Sequence, residues 1–75
     1  MTIKKRSLSL DSHPTSVALE PEFWVLLEQA ARINQQSLPR LIGQIDSSRG
    51  STPLASALRV WTLAYAMKNK DLQDS

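Results

Sequence analysis

The sequence predicts a small, mainly α-helical domain with one short β-strand near its start. Three observations predict it. Residues 15–19, TSVAL, alternate in the manner of a half-buried strand. Three later stretches repeat apolar residues at helical spacing, each with a proline near its start. Cysteine is absent, so no disulfide staples a chain of 75 residues. A chain of that length makes one domain at most and buries a modest fraction of its surface.

The strand comes first. Thr15, Val17 and Leu19 share one face and Pro14, Ser16, Ala18 and Glu20 the other. A lone strand leaves main-chain N–H and C=O groups without partners. Nothing downstream reads as a second strand, and among the usual supports for small domains oligomerisation is left. The expectation is therefore that a second copy of the chain supplies the pairing strand. A hairpin of RSLSL with TSVAL inside one chain is the alternative, and it would need helices beneath it, because an isolated hairpin is weak in water.

Residues 1–13 read as a basic arm. Lys4, Lys5 and Arg6 are contiguous cations, and Leu8 and Leu10 alternate with Ser7 and Ser9. Asp11, Ser12, His13 and Pro14 read as a turn or break. Parity requires that break. Leu8 and Leu10 are even-numbered and Val17 and Leu19 odd, so one unbroken strand would put them on opposite faces.

A first helix is predicted over 21–33. Pro21 suits the first helical position, Glu20 and Glu22 suit its positive end, and Phe23, Trp24, Leu27, Ala30 and Ala31 form an apolar stripe. Glu20 is a poor cap by side-chain geometry. Asn34 offers a left-handed end. A second helix is predicted over 38–47, capped by Ser37, with Leu38, Leu41, Ile42 and Ile45 inward and Arg49–Gly50 closing it. A third is predicted over 53–69, capped by Thr52. Leu54, Leu58, Trp61 and Tyr65 line one face, Val60, Leu63 and Met67 widen it, and Arg59 lies opposite and solvated. A helix this apolar is expected to bury most of its surface. Residues 71–75 read as a frayed tail, giving an arm over 1–13, a domain over 14–70 and a tail.

Composition excludes several classes. Hydrophobic residues are 41% of the chain, enough for a folded domain. No apolar run approaches the roughly 20 residues that span a bilayer, and the start lacks the apolar core of a secretory signal. The expected compartment is the cytoplasm. His13 is the only imidazole, so no metal site, cofactor or catalytic triad is expected, and two glycines cannot form a phosphate loop. Catalytic residues are expected to be absent. The net charge of +2, with a pI near 9.4, is compatible with nucleic acid.

The order strand, helix, helix resembles the ribbon-helix-helix family of DNA-binding proteins, the group of the Arc and MetJ repressors. The resemblance rests on TSVALEPEFW and on QSLPRLIGQID. More narrowly, KRSLSL, TSVALEPEFW, SLPRLIGQID and LASALRVWTLAYA together resemble a group of small bacterial ribbon-helix-helix proteins. The resemblance implies an intertwined homodimer with a two-stranded antiparallel ribbon and an extra C-terminal helix. Its core would comprise Thr15, Val17, Leu19, Trp24, Leu27, Leu41, Ile42 and Ile45. It implies a sequence-selective, dimeric transcriptional regulator, a repressor by occupancy, whose ribbon enters the major groove of double-stranded DNA.

Carried over, Pro14, Ser16 and Ala18 face the bases. Ser37 and Arg40 hold phosphate at the start of the second helix, and Lys4, Lys5, Arg6 and His13 act from the arm. Two arms of three cations each would give a salt dependence with a log–log slope near −5 at most. The chain departs from the family's pattern: Pro14 and Ala18 stand where longer polar residues are common, and Pro39 removes one N–H from the phosphate-holding turn. Alanine can touch only a thymine methyl. The alternative reading is a protein-interaction module, an antitoxin or adaptor, that binds a protein partner through its C-terminal helix.

Overall fold

A computed structural model describes residues 2–73, with side chains described through Asn69. The element order is β1 (Lys4–Leu10), β2 (His13–Leu19), α1 (Pro21–Ile33), α2 (Leu38–Ser48) and α3 (Leu54–Gln73). The ribbon-helix-helix expectation therefore stands, with two antiparallel strands followed by three helices.

One expectation is corrected. Within the chain TSVAL already has a partner strand, because β1 pairs with one edge of it in the hairpin given above as the alternative. Residues 4–10 are thus a strand rather than a free arm. The turn is Asp11–Ser12, and both residues take positive φ, 51° and 67°. A two-residue loop of that kind matches the natural strand twist and closes a hairpin tightly. It also resolves the parity conflict. Leu10 pairs with His13 and Leu8 with Thr15, so even-numbered β1 residues share a face with odd-numbered β2 residues. His13 and Pro14, expected in the turn, belong to β2.

The inner face of the hairpin carries Leu8, Leu10, Thr15, Val17 and Leu19 onto the helices. Val17 and Leu19 are buried there with Trp24, Leu27, Ala30, Ala31, Leu41, Ile42, Ile45 and Leu58. Thr15 is half-buried at the margin. The residues expected in a dimer core therefore pack within a single chain.

Trp24 fixes β1 to this layer. It is 4% exposed, and its Nε1–H donates to the Lys4 carbonyl at 2.9 Å. Arg6 lies over its ring, 5.0 Å from the centroid, and donates to Glu28 Oε1 at 2.7 Å. The indole thus offers its edge to a strand carbonyl and its face to a cation, both natural roles for tryptophan. These contacts supply the support that an isolated hairpin lacks.

The helix ends follow local chemistry. Glu20 makes no side-chain cap to α1, so the start rests on Pro21. At the other end Gln35, not Asn34, takes the left-handed conformation, with φ 56°. Gln36 N–H donates to Ala31 O and Gln35 N–H to Arg32 O, the paired bonds of a Schellman ending. Ser37 caps α2 by accepting from Arg40 N–H at 3.2 Å. Gly50, at φ 63°, turns the chain after it.

The third helix differs most from expectation. It starts at Leu54, one residue later than expected, and continues past Asn69 to Gln73. The expected tail over 71–75 is therefore helical as far as Gln73, and residues 74–75 lie outside the described residues. Leu58 is buried while Leu54, Trp61 and Tyr65 are half-buried. Trp61 and Tyr65 stack, with centroids 5.4 Å apart and an interplanar angle of 8°. Val60, Leu63 and Met67 are 59–68% exposed, against the expectation of wide burial. Between the two stripes sits Thr62, fully buried, whose hydroxyl donates to the Leu58 carbonyl. That bond satisfies a polar group whose burial would otherwise be costly.

Arg59 is not simply solvated, as the sequence suggested. It donates twice to the Glu20 carboxylate, at 2.9 and 3.3 Å, and lies 5.9 Å from the Phe23 ring centroid. It ties α3 to the start of α1. The Arg59 hydrogen bond is the main cause holding the Glu20 carboxyl below its usual range. A carboxyl lowered by folding stabilises above its unfolded pKa and loses that stabilisation as pH falls through the folded value. Glu20→Gln is expected to melt below the parent protein near neutrality. The gap should close as pH falls from about 5 to about 3. Thermal melts across that range check it, and a gap independent of pH would contradict it.

Candidate nucleic-acid interface

The outer face of the hairpin is built by the same register that builds the core. Lys5 stands opposite Ala18, Ser7 opposite Ser16 and Ser9 opposite Pro14, and all six side chains are exposed. The predicted base-facing residues Pro14, Ser16 and Ala18 thus share an outward face. The structure adds Lys5, Ser7 and Ser9 to it. The sequence does not single out Ser7 and Ser9, because residues 1–13 read as an arm. The signal was present, since RSLSL alternates as TSVAL does.

The added residues change the chemistry of the ribbon. Lys5 can donate to phosphate or to guanine, and serine hydroxyls both donate and accept. Pro14 also falls where its missing N–H costs nothing to the hairpin. A two-residue loop makes Leu10–His13 a hydrogen-bonded pair, and such pairs alternate along an antiparallel ladder. Pro14 therefore lies in the non-bonded pair with Ser9, where no ladder donor is needed.

The predicted cationic residues separate into two sets. Arg6 points inward and is held by Glu28 and Trp24. Lys4, Lys5 and Arg40 are exposed, and no ion pair to a carboxylate engages them among the described residues. His13 is exposed at the start of β2.

The start of α2 lies beside the hairpin tip. A groove of about 520 Å³ is lined there by Ser9, Asp11, Ser37, Arg40 and Ser47, among others. Its main-chain donors are few. Pro39 has no N–H, Arg40 N–H is taken by Ser37 Oγ, and Leu41 N–H by the Ser37 carbonyl. Leu38 N–H is left, together with the Ser37 hydroxyl and the Arg40 guanidinium. An anion held here would depend on side chains more than on the helix terminus.

No helix among the described residues is long and apolar enough to cross a membrane. Among them no group of three or more His, Asp or Glu side chains could hold a metal ion.

Comparison with known proteins agrees with this architecture. The chain is similar to an uncharacterized protein of Bordetella pertussis Tohama I, with a TM-score of 0.81 and 32% sequence identity. The match covers 93% of this chain and 60% of that one, so the present chain spans about three-fifths of that protein's length. No curated protein matches it. A family model described as a ribbon-helix-helix domain matches residues 3–66, which include both strands, α1, α2 and most of α3. On that match, the chain belongs to the ribbon-helix-helix domain family.

Proposed function

We propose that this protein is a sequence-selective, DNA-binding transcriptional regulator that works as a homodimer in a bacterial cytoplasm and represses by occupying its site. Its role is recognition rather than catalysis. One observation carries the reading: the outer face of the hairpin is wholly exposed and presents Lys5, Ser7, Ser9, Pro14, Ser16 and Ala18 together. Ribbon readers place such a face in the major groove. Ser16 and Ala18 lie on the strand that the sequence reading expected to face the bases, and Lys5 and Ser7 stand beside them. Lys4, Ser37 and Arg40 are assigned to phosphate, and His13, at the tip, to the flank.

Gel retardation on random duplex DNA, then selection of genomic fragments, tests the reading. Retention at low salt that sharpens to particular fragments is expected. No retention at any salt would reject it.

A second reading is favoured by a different observation. Val60, Leu63 and Met67 expose an apolar strip on α3 that suits a protein partner. On that reading the same scaffold is an antitoxin or adaptor, and loss of DNA retention would favour it.

A further inference from the structure

We propose that the open edge of β1, at Lys5 and Ser7, takes an extended acidic segment of a partner protein as a further strand. The segment would alternate carboxylate and aliphatic side chains. This docking surface lies on the far side of the hairpin from β2, and it needs neither DNA nor the exposed strip of α3.

Main-chain valence identifies the edge. Leu10–His13 is a hydrogen-bonded pair and such pairs alternate, so Lys4, Arg6, Leu8 and Leu10 direct their main-chain groups to β2. Lys5, Ser7 and Ser9 direct theirs away from it. Ser9 borders the groove at the start of α2. Neither Lys5 nor Ser7 has a main-chain partner outside the hairpin among the described residues. Their N–H and C=O groups form the alternating row that an added strand completes.

A groove of about 470 Å³ lies beside this end of the hairpin. β1 contributes Lys4, Lys5 and Arg6 to its lining, and α1 contributes Pro21, Val25 and Glu28. Trp24, which holds β1 through the Lys4 carbonyl, borders it too. Val25 is a large aliphatic residue left 65% exposed. Successive side chains of a strand point to opposite faces. A segment paired to β1 therefore presents one set to Pro21 and Val25 and the other to the outer face beside Lys5. Aliphatic side chains suit the first set and carboxylates the second.

Charge selects the occupant. Lys4 and Lys5 are exposed and pair with no carboxylate among the described residues, whereas Arg6 and Glu28 offset each other at 2.7 Å. Lysines on an edge discourage a strand of like charge. A second copy of β1 would bring its own Lys4, Lys5 and Arg6, so it fits poorly. An acidic segment turns the same charges into attraction. A nucleic-acid strand fits less well, because phosphates only accept hydrogen bonds and leave the Lys5 and Ser7 carbonyls without donors. Its regularly charged backbone would also meet Glu28, which an alternating peptide avoids. Bound at this edge, the segment would occupy Lys5 and set carboxylates on the face proposed to meet DNA. Peptide and DNA would then exclude each other.

A capped peptide that alternates aspartate with valine is the probe. A capped peptide of the same composition, with its aspartates contiguous, is the control. Fluorescence anisotropy at low salt is expected to show tighter binding of the alternating peptide. Ser7→Pro deletes an edge N–H and leaves the ladder to β2 intact, as Pro14 does on the opposite strand. It should weaken the alternating peptide about tenfold. Lys4→Gln combined with Lys5→Gln should weaken it about fivefold. Circular dichroism checks that each variant folds. Hydrogen exchange on the parent protein locates the peptide, since the Lys5 and Ser7 amides should exchange more slowly when it is bound.

Equal binding of the two peptides, or no binding of either, would overturn the proposal. So would protection of the Ser16 and Ala18 amides in place of Lys5 and Ser7. A Ser7→Pro variant that loses affinity for a duplex oligonucleotide and keeps it for the peptide would assign the edge to nucleic acid instead. Peptide binding is measured without DNA, so its failure is separate from failure of DNA retention.

Discussion

Trp24→Ala is expected to cost about 3–5 kcal/mol, the range for truncating a large buried aromatic. A domain of this size holds a total stability of roughly 4–11 kcal/mol, so the variant should be marginal or unfolded at room temperature. The cost reaches beyond the cavity. Trp24 is the residue on which β1 rests, since Lys4 accepts its Nε1–H and Arg6 covers its ring. Its loss should release β1 as well as open the core.

Trp24→Phe separates the two contributions. It retains an aromatic ring but leaves the Lys4 carbonyl without its donor, at a cost of about 1–2 kcal/mol. Urea denaturation with a fluorescence probe at Trp61 measures both variants. A loss for Trp24→Ala no greater than that for Trp24→Phe would show that the ring's burial contributes little.

The largest expected effect on DNA retention comes from the exposed cations. Lys4, Lys5 and Arg40 replaced together by alanine should flatten the salt dependence by about one unit of slope per lost phosphate contact. Arg6→Ala should leave the slope unchanged, because Arg6 is engaged by Glu28 and Trp24. Its expected effect is on the hairpin, as a lower melting temperature. Anisotropy titrations between about 50 and 200 mM salt distinguish these outcomes. A slope that falls with Arg6→Ala and ignores the triple variant would reverse the assignment. The sequence alone treats Lys4, Lys5 and Arg6 as one cluster. The hairpin register sets Lys5 apart on the outer face, and of Lys4 and Arg6 on the other face only Arg6 is engaged, by Glu28 and Trp24.

The divergence at Arg59 has a related cause. On the helix it reads as an outward residue, and the partner that engages it, Glu20, lies 39 positions earlier in the chain. Periodicity reports which side of an element is apolar and cannot report what another element brings beside it. Thr62 gives the converse case. A threonine reads as polar, yet its hydroxyl is satisfied inside its own helix, so it can be fully buried.

What the sequence determined by itself is the set of local elements. Proline at 21 and the Ser37 cap set helix starts, Gly50 sets a helix end, and apolar spacing along α1 and α2 selects the residues that are buried. These are near-neighbour effects, governed by backbone dihedrals, capping and side-chain period. The tertiary structure decided which strand pairs with TSVAL and which cations remain free. Both depend on a two-residue turn at positive φ and on an indole that holds β1 against the helices. A hairpin gains stability only from the layer beneath it, and that layer exists only once distant parts of the chain have met.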